Sequence, residues 1–474
     1  MTAMTMHKAK SKAMLAGLIA TATAFCYSAA LQAQQWSYAE AAKPYAGTTI
    51  RVLDEITPLQ ETMRRLVPEF VEETGIQVEY ELLSHGDVIN RGQADLFSGR
   101  GHYDAIMLHG LQLGPLLAAR VLQPIDGLKT NSTLTNPDLG LDDLIEPANE
   151  SLVNHGGSQY GFLTWNYNQI YWARADLLNH PDEKAAFEAR YGYPLAPAET
   201  MQQMRDIAEF FTRKSGEALA GETLRNDFYG IVLEGIPGGT TFTTVWEVFM
   251  NNWGGGVFDA NGKPQLDAPE NIAAVQFWAD LWKFAPPGQA EYSLIDVPTV
   301  MGNGIAAQSI AFSDFVLGVD RPDGGTYAGQ FVYGGIPANA DLLDARSAGG
   351  EPSLMALSSH SKKPEATYLF MQWMVDKQTQ AKLLEMGGGG VPIRRSSFDL
   401  DVMREAERQS LYKAMAASLE YVQAKPKTPN FFDIDNIMGP LVQQVGIGRL
   451  SAEDALKEGQ RQVSSLCSSC LLTD

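Results

Sequence analysis

Three short apolar runs alternating with two helical patterns between residues 49 and 109 constrain this chain more than any other feature. Thr49-Ile50-Arg51-Val52-Leu53 reads as a buried strand that leaves through the loop Asp54-Glu55-Ile56. A helix follows directly: Thr57 with Gln60 makes a capping box, Pro58 suits the first helical position, and Leu59, Met63, Leu66, Val67 and Phe70 recur at helical spacing. Pro68 is expected to kink or split that helix. Gln77 to Leu83 predicts a second strand, Val88 to Phe97 a second helix, and Tyr103 to Leu108 a third strand ending in His109-Gly110. This alternation builds a mostly parallel sheet, because parallel neighbours need a crossover long enough to hold a helix. The expected class is α/β. Ligands of such sheets collect beyond the carboxyl ends of the strands, which nominates Asp54 to Thr57 and His109 to Gln112.

With 474 residues the chain exceeds what one hydrophobic core organises, so at least two lobes are expected. Gly161 to Ala173 is rich in aromatic residues, too long for an ordinary strand, and broken by polar Thr164, Asn166, Asn168 and Gln169. A strand crossing between lobes has this character. Helical patterns follow at Glu183 to Arg190, Met201 to Arg213, Thr244 to Asn252 and Asn271 to Phe284. Asn261-Gly262 reads as a hairpin-type turn. Asp259 opens something like a calcium loop, but the Gly comes too early and no closing Glu follows, so this too reads as a turn.

The first residues read as an address. His7, Lys8, Lys10 and Lys12 precede the apolar run Met14 to Phe25 and the small-residue stretch Ser28 to Ala33, the order of a signal peptide over residues 1–33. No later run is long enough to span a bilayer, so a soluble periplasmic monomer is expected. Its 36 Lys and Arg against 56 Asp and Glu give a formal charge of -20, which repels phosphate backbones and disfavours nucleic acid as a partner. Export places Cys467 and Cys470 in an oxidising compartment, where they are expected to close a local structural disulfide. A zinc site would need more ligands than this tail offers.

The signatures of serine hydrolases, zinc proteases and phosphate loops are missing, so no catalytic residue is nominated. The seven His include no pair at helical ligand spacing, and neither a metal site nor a cofactor is expected. More telling are Trp165, Trp246 and Trp253, each beside a polar residue (Asn166, Glu247, Asn252). A sugar has an apolar C–H face and a hydroxyl rim, so its site needs an aromatic plate together with planar polar groups. The alternative for each Trp is core packing, which is favoured for Trp278 and Trp282 on an amphipathic helix. Gly387 to Gly390, followed by Val391-Pro392-Ile393-Arg394-Arg395, either brings backbone and an arginine fork to a ligand or forms a long helix C-cap.

Taken in order, "TTIRVLDEITPLQETMRRLVPEFVEETGIQVEY", "YDAIMLHG", "YGFLTWNYNQIYWARADLL", "DIAEFFTR", "WEVFMNNWGGGVFDANGKPQLDAPENIAAVQFWADLW", "KPEATYLFMQWMVDKQTQ" and "GGGGVPIRRS" resemble the sugar-type extracellular solute-binding proteins of bacterial ABC importers, the maltose-binding-protein-like family. The resemblance implies two α/β lobes joined by hinge crossings: residues 44–161 with 308–370, and 162–307 with 371–474. It implies ligand contacts at Glu55, Thr57, His109, Trp165, Asn166, Trp246 and Arg394. Many relatives carry Trp after the second crossing strand where this chain has Phe312-Ser313-Asp314, so Asp314 takes that place and the stacking plate is smaller. The implied activity is periplasmic binding of a carbohydrate, without catalysis, for delivery to an inner-membrane ABC permease. Two alternatives are a polyol, glycosyl-glycerol or other small polar solute on the same fold, and a secreted carbohydrate-active hydrolase using carboxylates such as Glu55, Glu247 and Asp314.

Overall fold

The strand and helix alternation forms where it is expected. Thr49–Glu55 (β1), Pro58–Thr74 (α1), Gln77–Leu83 (β2), His85–Ser98 (α2) and Ala105–His109 (β3) succeed one another, and β1 pairs in parallel with β2 on one side and β3 on the other. Thr57 starts α1 by accepting the Gln60 N–H at 3.3 Å, and Gly75 ends it in the left-handed conformation at φ 73°. Pro68 does not split α1. It lies on the exposed face, one turn after the exposed Arg64 whose carbonyl it cannot serve. The computed structural model describes residues 36–145, 152–238, 241–320, 326–350, 352–387, 390–404, 409–423 and 425–472. The expected signal peptide, Cys26, Gly388 and Gly389 lie outside them.

The expected crossing run is two strands in two different sheets: Gly161–Trp165 (β4) and Gln169–Arg174 (β5), with residues 166–168 passing between them. There follow Met201–Phe211 (α3), Thr241–Asn251 (α4), Pro269–Leu281 (α5), Gln308–Phe312 (β6), Ser313–Val319 (α6), Phe331–Gly334 (β7) and Ser353–Leu357 (β8). Pro364–Val375 (α7), Lys377–Glu385 (α8), Gln409–Leu419 (α9), Phe431–Gly446 (α10) and Ala452–Leu466 (α11) complete the chain. One sheet has the order β2-β1-β3-β8-β4 and the other the order β6-β5-β7. The first is less parallel than expected, since β8 runs antiparallel to both β3 and β4. Each sheet with its helices makes one α/β lobe.

Gln308–Phe312 and Phe331–Gly334, expected in the first lobe, pair within the second sheet. β6 joins β5 from Gln308↔Ala173 to Phe312↔Gln169, and β7 flanks β5 on its other side, so both strands belong to the second sheet. α7 and α8 in turn pack on α1 of the first sheet's lobe, where residues 371–385 were expected in the second. Trp278 on α5 is fully buried with its ring 5.7 Å from Phe242, the packing role expected of it.

Cys467 and Cys470 are disulfide-bonded just past α11. The closed loop lies on the Asn261-Gly262 turn: Cys470 N–H donates to Gly262 O at 2.8 Å, and Ser469 Oγ to Asn261 O at 3.1 Å. Because these contacts serve only the tail, Cys467→Ser is expected to change solute affinity by less than ten-fold, about 1.4 kcal/mol. Calorimetric titration of the variant checks this, and a larger loss would mean that the disulfide supports the binding site.

Candidate functional site

Sheet register brings residues distant in sequence to one edge. Glu55 at the end of β1 stands opposite Leu83 at the end of β2, so His85, two residues further on, arrives beside it. β3 ends at His109, whose neighbour on the antiparallel β8 is Ser353, and Ser353 in turn is paired with Trp165 at the end of β4. Along this edge lie His85, Glu55, His109, Ser353 and Trp165. Glu55 Oε2 lies 2.8 Å from His109 Nε2 and 3.0 Å from His85 Nδ1. The other ring nitrogen of His109 meets Ser353 Oγ at 3.0 Å and the Tyr167 hydroxyl at 3.3 Å. Burial alone would raise the Glu55 carboxyl, but the two imidazoles prevail and hold it down to about 2. Its neighbour Asp54 behaves oppositely: burial pushes it up to about 7 against hydrogen bonds from Tyr80 and the Glu55 backbone.

The second lobe meets this edge through the crossing residues. Ser313 binds Asn168 twice, N–H to O and Oγ to Oδ1, each at 2.9 Å, and the Phe312 ring lies 5.5 Å from Tyr167. The Tyr167 ring is tilted against Trp165 at 4.7 Å. These contacts hold Asp314, at the start of α6, within electrostatic reach of Glu55. Burial pushes Asp314 up to about 7, backbone hydrogen bonds oppose this, and the Glu55 charge adds to it. Its Oδ1 is buried without a hydrogen-bond partner among the described residues. Asn166, wholly buried between the two sheets, has neither amide atom partnered there. A buried amide left in that state is costly, and such groups mark places where a polar ligand is received.

A carboxyl whose folded pKa lies above its unfolded value costs stability as it ionises. For Asp314 the cost grows from about pH 4 to 7 and is fully present above that. Asp314→Asn is therefore expected to shrink the stability difference between pH 5 and pH 8 in urea denaturation. A difference equal to that of the unaltered chain would contradict the assignment.

Of the nominated residues, Glu55, His109, Trp165 and Asn166 gather at this crossing, and Asp314 faces them. The other three lie in different surroundings. Thr57 spends its hydroxyl on the Gln60 cap. Trp246 is fully buried on α4, and among the described residues no ring contact joins it to Trp165 or Tyr167. Arg394 has its donors engaged: its Nε donates to Val375 O at 2.8 Å, Nη1 to Gly140 O at 2.8 Å and Nη2 to Leu139 O at 2.7 Å, with Asp143 Oδ2 3.4 Å away. At 1% exposure its fork is consumed in tying the chain to itself. Sequence reasoning missed His85, Tyr167 and Ser353. The carboxyl-end rule finds His85 if it is applied to β2 as well as to β1 and β3.

A cavity of about 260 Å³ lies beside Ala348, Gly349 and Gly350, the last of which is bridged to Asn168 of the crossing. Its polar lining is internally paired, Lys425 to Glu247 and Asn251 Nδ2 to Gln423 Oε1 at 3.2 Å. The unpartnered atoms of Asn166 and Asp314 place the candidate site at the crossing instead.

The model of the bacterial extracellular solute-binding protein family matches residues 54–381. The erythritol/L-threitol-binding protein of Mycolicibacterium smegmatis is 23% identical, over 77% of this chain and 75% of that protein. A probable amino-acid ABC transporter periplasmic-binding protein of Sinorhizobium fredii is 24% identical, over 77% of each. The crystal structure of an ABC transporter solute-binding protein from Agrobacterium radiobacter K84 in complex with ribitol superposes with a TM-score of 0.74 at 22% identity, covering 90% of this chain and 100% of that one.

Proposed function

The chain belongs to the bacterial extracellular solute-binding proteins, and from that premise we propose that it is the exported receptor of an ABC importer, closing two lobes over a small uncharged polyhydroxylated solute and presenting it to an inner-membrane permease. The observation that carries this reading is the Asn166 amide, buried at the lobe crossing beside Trp165 without partners. A carboxamide offers an acceptor and two donors in one plane, which suits neighbouring hydroxyls, while Trp165 receives the carbon skeleton. The relatives named for erythritol or threitol and for ribitol support a polyol. An amino acid fits less well, because its carboxylate wants an arginine fork and Arg394 is spent on backbone carbonyls. In this reading one lobe comprises residues 36–165 and 353–394, and the other residues 169–349 and 409–472.

No hydrolysis is part of this reading, because the chain belongs to a family of solute-binding proteins. A thermal-shift panel of erythritol, ribitol, D-mannitol and maltose tests the proposal, because a ligand at 100 times its Kd stabilises the native state by about 2.7 kcal/mol. A clear shift with at least one polyol is expected. No shift with any polyol, or release of reducing sugar from glycosides, would overturn it.

A further inference from the structure

Glu55, His85 and His109 stand 30 and 24 residues apart in sequence, yet each offers one ligand atom, and the three atoms lie within 4.8 Å of one another. The carboxylate oxygen is the common point, 2.8 Å from His109 Nε2 and 3.0 Å from His85 Nδ1. A first-row dication bonded tetrahedrally at roughly 2.0–2.2 Å keeps ligand atoms about 3.3–3.6 Å apart, so each imidazole need withdraw from the carboxylate oxygen by only about half an ångström. Two imidazoles and a carboxylate are also the donor set that suits zinc and its neighbours over calcium or magnesium.

The surroundings are those of a built site. His109 is fully buried and its second ring nitrogen is engaged by Ser353 Oγ at 3.0 Å and Tyr167 Oη at 3.3 Å, which orients the ring and turns Nε2 toward the carboxylate. Outer hydrogen bonds of this kind hold metal-ligating histidines in place. The ligands are mounted at the ends of β1 and β3 and the first residue of α2, all pinned by the sheet. The His85 side chain is 34% exposed while Glu55 is nearly buried, so the cluster has one side open to entry.

We propose that Glu55, His85 and His109 bind a zinc-class divalent transition-metal ion on the first lobe's edge of the cleft. The ion takes the place of the protons that the two rings otherwise share with the carboxylate, and its remaining positions go to water or to a further oxygen donor. Asn166, Trp165 and Asp314 stay available to the solute, so this inference stands apart from the identity of that solute.

The test is calorimetric titration of the chelator-treated full chain with zinc chloride alone, with cobalt(II) absorption as a second readout. One equivalent should bind, and the cobalt complex should show the ligand-field bands of a low-coordinate site. His85→Gln alters a partly exposed side chain and should keep the fold, checked by circular dichroism, while weakening zinc at least ten-fold. Ser353→Ala, which loosens the outer bond to His109, should weaken it by about ten-fold. His360→Ala is the control, because its ring serves the Leu96 carbonyl at 3.1 Å away from the cluster, and it should change nothing. Absence of saturable binding, or equal affinity in His85→Gln, would show that the three side chains form a proton-linked network only. A polyol titration of the same metal-free protein decides the solute reading separately.

Discussion

Arg394→Met is expected to lower folding stability by about 3–5 kcal/mol, the cost of breaking a buried charged network by removing one partner. Three backbone carbonyls, those of Leu139, Gly140 and Val375, would lose their donor inside the first lobe, and Asp143 would lose its nearest cation. The same substitution should leave the solute affinity of the folded protein within a factor of about three. Urea denaturation reads the first quantity and calorimetry the second. Stability unchanged with affinity lost would return Arg394 to the ligand shell.

Trp165→Ala is expected to show the reverse pattern. The side chain ends β4, is 5% exposed, and lies against Tyr167 and near His109, at the proposed solute site. Removing a buried aromatic contact should cost about 2–4 kcal/mol of binding, a loss of roughly 30- to 1,000-fold. Trp278→Ala is the matched control: it opens a cavity on α5 against Phe242 and Trp282 and should cost stability without a comparable loss of affinity. Equal affinity in Trp165→Ala with an intact fold would remove the aromatic plate from the site.

Local signals carried far along this chain. The cap at Thr57 and the β2 range Gln77–Leu83 follow from spacing and turn chemistry, which a short window of residues contains. The destinations of β6 and β7 were not legible, since a strand's apolar pattern does not name its partner, and only the Phe312↔Gln169 and Phe331↔Arg174 registers place them in the second sheet. For the same reason Glu55, His109, Trp165 and Asn166 could be named from strand ends and the crossing, whereas His85 and Ser353 emerge from pairings between distant segments. Arg394 misled because an arginine after glycines looks available to a ligand. Whether its fork is free depends on carbonyls 254 and 255 residues away.

The claim that a small polyol is received at the Asn166 amide is tested most directly by titrating the unaltered chain and Asn166→Ala side by side with the polyol that gives the largest thermal shift. One site per chain is expected in the first and, with the fold unchanged, a loss of about 1–3 kcal/mol in the second, because the solute's hydroxyls forfeit directional partners. Equal affinity in the two proteins would place the solute elsewhere and contradict the account.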